Sequence, residues 1–418
     1  GVAGAADFTG ATSNRWQHTM FGTSAGSFLY IVNGQNDPRY YNGTIWTTPA
    51  LTGTTAANMV HVNVHKRRLI FTEKNSLSFW YLPVVSVAGV LAEFRLGGLC
   101  SLGGYLMATG TWTRDGGAGI DDFFVAVTSK GEVIIYQGTD PADSTAWSLV
   151  GVFRIAPPIG RRCLLRLGSD LIVMTEAGFS QLSQFLSAAQ ASSRAAMSDQ
   201  ISSAVNEAVN GYKDRFGWQP IFYPAARGSS SMLLFNAPVS NSAVQFVSNS
   251  TTGAWSRFTG LNGSCWEVHD GKLFFGGSGT VYRADHTFSD DGTAITADVQ
   301  QALSYFGDRG RQKRFALVRP NMIIDGTVTV KLAANVDFST AAPTDSASFS
   351  APTGATWDTA TWDVDAWADD PLLAGDWQGV EGVGYGAGLR MQVTSANGSV
   401  KWNSTNWLYE PVASAGHL

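Results

Sequence analysis

Along the first two thirds of the chain one short unit returns six times: an apolar run, a turn built on Gly or Asn, and a second apolar run ending mostly in aromatics. The copies are residues 27–41 (SFLYIVNGQNDPRYY), 68–81 (RLIFTEKNSLSFWY), 122–136 (DFFVAVTSKGEVIIY), 170–182 (DLIVMTEAGFSQL), 231–246 (SMLLFNAPVSNSAVQF) and 272–282 (KLFFGGSGTVY). Each reads as a β-hairpin, because apolar runs of strand length flank turn residues. The starts recur about every 40 to 60 residues, the period of four-stranded propeller blades rather than of shorter, more regular solenoid repeats. Segments between the hairpins, such as residues 42–49 (NGTIWTTP), 146–155 (AWSLVGVFRI) and 253–258 (GAWSRF), supply the remaining strands. The pattern predicts an all-β chain that opens with a six-bladed β-propeller.

The period changes in two places. Over residues 184–216, Phe185, Ala189, Ala196, Met197, Ile201, Ala204, Val205, Ala208, Tyr212 and Phe216 fall mostly at three- and four-residue steps among good helix formers. This predicts a helix or helix pair inserted between blades. Its polar face is rich in Ser, Gln and Asn and poor in charge. It lies either on its own propeller or in an assembly interface. After residue 286 the segments 295–305, 315–324, 327–336, 389–393 and 400–409 alternate apolar with polar residues, as strands with one buried face do. The expected organisation is a propeller over residues 1–285 and a β-sandwich-like domain over 286–418. The second domain carries a Thr-, Ala- and Asp-rich loop, 340–376, pinned by Trp357, Trp362 and Trp367.

Composition narrows the function classes. With 46 Gly, 14 Trp and 15% charged residues in 418, the chain is turn-rich and heavily buried, long enough for two cores. A net charge of -5 gives no basic footprint for gripping nucleic acid by its phosphates. Cys100, Cys163 and Cys265 are far apart and outside any CxxC spacing, so they read as apolar fillers rather than a disulfide framework or zinc site. No stretch approaches the roughly 20 apolar residues of a membrane span, so no stable membrane insertion is expected. The amino terminus lacks a basic-then-apolar signal pattern. The chain starts on Gly1 and enters a blade almost at once. A propeller closed by an amino-terminal strand would then need a missing upstream piece, or a later strand, to complete its ring.

Candidate chemistry is sparse. GTSAG at 22–26 fits the nucleophile-elbow spacing around Ser24, but a strand follows where a helix should, so a hairpin turn is expected. His61 and His65 share one face of a strand, too far apart at about 3.3 Å per residue to hold one metal ion. The acidic stretches 115–122 and 363–370 lack the calcium-loop spacing and read as solvated turns. Trp-Asp pairs cluster instead of recurring once per blade, against a WD40 array. No catalytic, cofactor or metal site is expected. One basic run stands out: Arg309, Arg311, Lys313, Arg314 and Arg319 (RGRQKRFALVR), read either as a solvated turn or as an electrostatic contact with an acidic partner.

Three stretches carry a resemblance: residues 123–182, residues 299–319 (VQQALSYFGDRGRQKRFALVR), and the Trp357 to Trp367 segment (WDTATWDVDAW). They resemble structural tail hub or nozzle proteins of short-tailed phages and prophages, and the likeness spans about residues 16–411. No catalytic signature is among the matching residues, and relatives carry more sequence ahead of the position of Gly1. The resemblance implies a virion component and no enzyme. It implies six copies forming a ring below the portal and adaptor, in contact with tail fibre or tail needle proteins. DNA passes through the lumen without specific binding, and the ring seals and then opens the exit channel. Arg309, Arg311, Lys313, Arg314, Trp357, Trp362 and Trp367 are the candidate partner-interface residues. The alternative is a propeller adhesin or lectin offering Tyr40, Tyr41, Trp46, Trp80, Trp112 and Trp147 to host glycans. A propeller hydrolase would need carboxylates or His converging on the central channel, which the sequence does not display.

Overall fold

Each of the six apolar hairpins forms two strands of its own antiparallel sheet, flanked by a more exposed strand on one or both sides. In the computed structural model the described residues are 8–115, 120–187, 196–224, 231–240, 242–344, 346–350 and 372–412. The chain divides into two units, Gly1–Ala284 and Asp285–Leu418.

The first unit is a six-bladed β-propeller. Its sheets follow one another along the chain, and every blade begins with its innermost strand: Gln17–Thr23, Met59–His65, Leu106–Asp115, Leu164–Leu167, Gln219–Tyr223 and Cys265–His269. Blades 1, 2, 3 and 5 have four strands, blades 4 and 6 three. The predicted fourth-strand segments are the strands Trp46–Thr47, Trp147–Arg154 and Trp255–Thr259. GTSAG is the turn between Gln17–Thr23 and Gly26–Val32, so Ser24 is a hairpin residue.

In blades 2 to 5 the hairpin strands are the most deeply buried because neighbouring blades pack against both of their faces. Leu69 to Phe71, Phe124 to Val127, Val133 to Ile135, Leu171 to Met174 and Leu233 to Phe235 are all within a few per cent of full burial. One apolar cluster fills each of the five seams between blades consecutive in sequence. Tyr30 and Phe71 meet between blades 1 and 2, and Phe79 and Phe124 between blades 2 and 3. Val125 and Val173 share the next cluster, while Phe179 and Phe235 stack at 4.2 Å between blades 4 and 5. Trp266 joins Ile221 and Leu234 between blades 5 and 6. Side chains of this size, fully buried, dominate core energetics at about 1.5–3 kcal/mol each.

The helical insertion is shorter than its sequence period. Leu182–Ser187 is helical, a single 3-10 turn covers Asp199–Ile201, and Ser202–Tyr212 is the main helix. Residues 188–195 lie outside the described residues. The first helix follows the third strand of blade 4, where other blades place a fourth strand. In the second, Val205, Ala208 and Val209 are buried in the seam between blades 4 and 5, so the helix lies on its own propeller. Tyr212 ends it, and Phe216 falls in the turn beyond.

Ring closure differs from the expectation. No strand from elsewhere completes blade 6, and no apolar cluster joins blades 6 and 1 among the described residues. Polar side chains span the seam instead: His18 of blade 1 pairs with Glu267 of blade 6 at 3.2 Å.

The second unit is a β-sandwich. One sheet runs Ser289–Asp290, Thr293–Gln300, Ala387–Ser395, Thr327–Val336, Ser346–Ser350. The other centres on Lys313–Asp325, paired along its full length with Ser399–Pro411 on one side. Gln378–Gly384 and Leu372–Ala374 pair with it on the other. Met322, Ile324, Val328, Val330, Ala374 and Met391 fill the space between the sheets. Trp357, Trp362 and Trp367, with the acidic stretch 363–370, lie outside the described residues.

Candidate functional site

In an antiparallel blade whose innermost strand comes first, the loop entering that strand and the turn between the second and third strands lie at the same end. The propeller uses this geometry to build a cavity of about 760 Å³ at one end of its axis. Blades 1 to 5 all contribute: Thr12, Ser13, Arg15, Gln17 and 33–35, then Val60 and Lys74, then Gly104, Tyr105 and Met107 with Ser129 and Lys130, then 158–162 with Glu176, and finally 213–218.

Charge distinguishes this cavity. Its lining holds Arg15, Lys74, Lys130, Arg161, Arg162, Lys213 and Arg215 against two carboxylates, Glu176 and Asp214. Glu176 is already engaged by Lys213 at 2.9 Å. A chain of net charge -5 thus gathers a strongly positive cup at one end of its axis. The expectation of no basic footprint holds for the chain as a whole and is corrected for this end of the propeller.

Arg161 and Arg162 form the floor. Arg161 donates to the Leu106 and Met107 carbonyls of blade 3 at 3.3 and 3.2 Å and lies over the Tyr105 ring. Arg162, from blade 4, donates to the Trp16 carbonyl at 2.7 Å and to the Gln17 Oε1 at 3.4 Å, both in blade 1. It also donates to Gln219 Oε1 of blade 5 at 2.8 Å, and Gln219 in turn bonds both the amide and the carbonyl of Trp266 in blade 6. Blades 1 and 4 stand opposite in a ring of six, so Arg162 braces the ring across its axis. Burial lowers the pKa of both guanidiniums. Neither meets a carboxylate within ion-pair distance among the described residues; their acceptors are neutral oxygens. Two guanidiniums, Arg15 and Arg162, lie against the Phe216 ring at 5.5 and 5.2 Å.

The walls are set by turn chemistry. Asn33 Oδ1 accepts from the amides of Gln35 and Asn36, while Asn36 Oδ1 accepts from Thr12, tying the entering chain to the first turn. Gly131 sits beside Lys130 with φ +85°, and a Cβ there would lie 2.2 Å from the Ile155 carbonyl oxygen, so only glycine permits this turn. Lys74 and Lys130 carry no ion pair among the described residues, and both are exposed.

The other sequence candidates separate from this site. His61 and His65 lie on the innermost strand of blade 2 as packed residues: burial, with Arg161 adding, lowers His61 to about 3, and burial lowers His65 to about 4. His65 Nδ1 bonds the Thr111 hydroxyl at 3.1 Å. Among the described residues no three His, Cys, Asp or Glu side chains are grouped to hold a metal ion. Asp122, in the stretch 115–122, is held below the usual carboxylate range: burial opposes, but the Thr113 hydroxyl and Lys66 outweigh it. Of the three cysteines, all free, Cys163 is a buried filler, and Cys100 and Cys265 are half-buried.

The basic run 309–319 divides. Arg309, Arg311 and Arg314 are exposed, Arg309 lying over Tyr305 at 5.2 Å. Lys313 is 2% exposed and donates to the carbonyls of Asp308, Arg311 and Tyr385, which corrects its placement on a partner surface: it pins a turn from inside. Of the candidate glycan platforms, Trp112 and Trp147 are core residues at 4% and 5% exposure. Trp80 donates to Glu73, and Tyr41 and Trp46 pack on each other. A second set of unclaimed surface lies in the sandwich. All eight residues of Thr293–Gln300 are exposed, Ile295 and Val299 by about half, as are Val383 at 57% and Leu408 at 49%.

No family model and no curated protein matches the chain. Solved structures do match, in fold alone. The computationally designed Ika8 protein aligns at 8% identity and TM-score 0.38, covering 63% of this chain and 69% of that one. A glycoside hydrolase family 43 arabinoxylan arabinofuranohydrolase from Bacillus subtilis aligns at 6% identity and TM-score 0.27 over 94% of this chain and 78% of that one. A beta-fructofuranosidase from Schwanniomyces occidentalis aligns at 8% identity and TM-score 0.31 over 93% and 94%. Glycoside hydrolases among the matches overturn the sequence-based exclusion of an enzyme, and that exclusion is withdrawn. At these identities no activity passes from them to this chain.

Proposed function

We propose that the chain is a structural subunit of a short-tailed phage virion, one of six copies in a tail hub or nozzle ring below the portal and adaptor. The observation that carries this reading beyond sequence resemblance is the open face of the sandwich. Ile295 to Gln300 of the strand Thr293–Gln300 pair with residues 390–395 on one edge, while among the described residues the other edge meets only Ser289–Asp290, at its first two residues. Long strands with one free edge and half-exposed apolar side chains are avoided by proteins that stay alone, because they template association. A second copy of the chain is the occupant that a closed ring supplies to every such edge. The Arg162 brace adds a constraint: a lumen wide enough for DNA runs between copies, because the propeller's own axis is crossed by a side chain. In this reading the exposed Arg309, Arg311 and Arg314 face adaptor, fibre or needle proteins, and DNA passes without specific binding.

The test is the mass of the protein in solution, alone and mixed with portal and adaptor. Six copies, formed spontaneously or on the adaptor, support the reading. A persistent monomer in both samples overturns it, and glycan binding by that monomer would favour the adhesin.

A further inference from the structure

We infer that the axial cavity of the propeller is a binding site for a small, multiply charged oxyanion, a phosphorylated or polycarboxylated molecule. This inference stands apart from the tail reading, since it rests on the first unit alone.

Three observations carry it. The first is the imbalance of charge: with Lys213 and Glu176 neutralising each other, Asp214 alone opposes the remaining six cations. Like charges gathered in a concave, partly desolvated cup repel one another, and low-dielectric walls focus their field outward. A fold keeps such a cluster at a cost in stability that a bound anion removes. The second is the state of the floor. Arg161 and Arg162 are withdrawn from water and hydrogen-bond neutral carbonyl and amide oxygens; Glu267 acts on Arg162 from beyond ion-pair distance, so neither guanidinium has a direct carboxylate partner among the described residues. Guanidiniums held rigidly by several acceptors are suited to oxyanions, which they meet with a planar fork of donors. The third is the division of labour around the rim. Lys74 and Lys130 occupy matching turns of blades 2 and 3, unpaired and on flexible stems, while Arg15 extends from the entering chain over Phe216. Rigid cations below and mobile ones above make a cup that closes on its ligand.

Size selects the ligand class. About 760 Å³ falls within the range of ordinary small-molecule sites, roughly 300–1,000 Å³. The Arg162 brace closes the bottom, so a polymer has no exit through the ring.

The experiment is calorimetric titration of the full chain with tripolyphosphate and, separately, with citrate, in about 50 mM salt, where screening is modest. Binding of either anion, weakened at least tenfold in Lys74→Ser/Lys130→Ser and again in Arg15→Ala, with melting temperatures held, is the expected result. The two arms tell phosphate from carboxylate preference. Absence of heat with both anions overturns the inference, as does binding that the lysine and arginine variants leave unchanged. A response to single-stranded DNA with none to either small anion overturns the small-ligand assignment in favour of a polymer.

Discussion

The seam between blades 4 and 5 and the seam between blades 6 and 1 solve the same packing problem with opposite chemistry. At the first, Phe179 stacks on Phe235 at 4.2 Å, with Val205 and Val209 of the helix and Trp218 closing around them. At the second, the described residues offer a His18 to Glu267 pair about half exposed on both sides, with Arg162 bonding Trp16 and Gln17 of blade 1 near the axis. The difference follows from chain order. Blades 1 to 6 are built from consecutive strands, so five seams join sequence neighbours and collapse as each blade forms. The sixth must bring residues near 17 and 267 together, and among the described residues no exchanged strand performs the closure. The ring is therefore held shut at its axis, by hydrogen bonds, more than at its rim.

From that contrast, the largest stability loss comes from the apolar seam. Phe235→Ala removes a fully buried ring from the stack and leaves a cavity, with an expected cost of about 3–5 kcal/mol. Urea denaturation of the variant beside the parent measures it. A loss below about 1 kcal/mol would mean that the seam relaxes and that the apolar clusters do not hold the ring.

A pH series probes the innermost strand of blade 2 next. Burial first, then Arg161, depresses His61 to about 3. Burial and Lys66 depress His65 to about 4 despite the opposing Gly138 carbonyl and Asp122. Both are neutral in the folded chain, while in the unfolded chain they take up protons near the ordinary histidine value of about 6.5. Their contribution is thus complete above that value and is lost as pH falls through the window from about 6.5 towards 3–4. One unit below 6.5 the two together cost about 3 kcal/mol. Denaturation midpoints at pH 7.5 and 5.5 should differ accordingly, and His65→Gln should flatten the difference by about half. Equal midpoints in the parent chain would show that these histidines are wet.

Much of the fold is legible in the sequence, and for a physical reason. Residues 122–136 and 170–182 supply blade strands buried on both faces, and such strands must be continuous apolar runs broken only by their turn. Outer strands such as Trp147–Arg154 are mostly exposed and blend into loops. The cavity is illegible because its cations are scattered from Arg15 to Arg215, each in a different loop that only the closed ring assembles. One signal was available: Lys74, Lys130 and Glu176 occupy the same turn of successive hairpins, and equivalent turns of a propeller share one end. The basic run at 309–314 teaches the reverse. Its charge is visible in the sequence, yet Lys313 points inward to three carbonyls, a fate that local charge density does not reveal.

The smallest effect sharpens the comparison most, because Arg162→Met separates ring closure from blade folding. The substitution keeps most of the stem's volume but frees the Trp16 carbonyl and two glutamine side chains that the guanidinium now bonds. Bonds from a charged donor are worth about 1.5–3 kcal/mol, and loss of an unpaired buried charge offsets part of that, so a net cost of about 1–2 kcal/mol is expected. Its location matters more than its size. If the brace holds blade 1 to the axis, hydrogen exchange quickens in Gln17–Thr23 while Asp170–Thr175 and Met232–Ala237, sealed in the apolar seam, keep their protection. Uniform quickening across all six blades would mean instead that the ring opens as one cooperative unit, and that the polar seam is no weaker than the apolar ones.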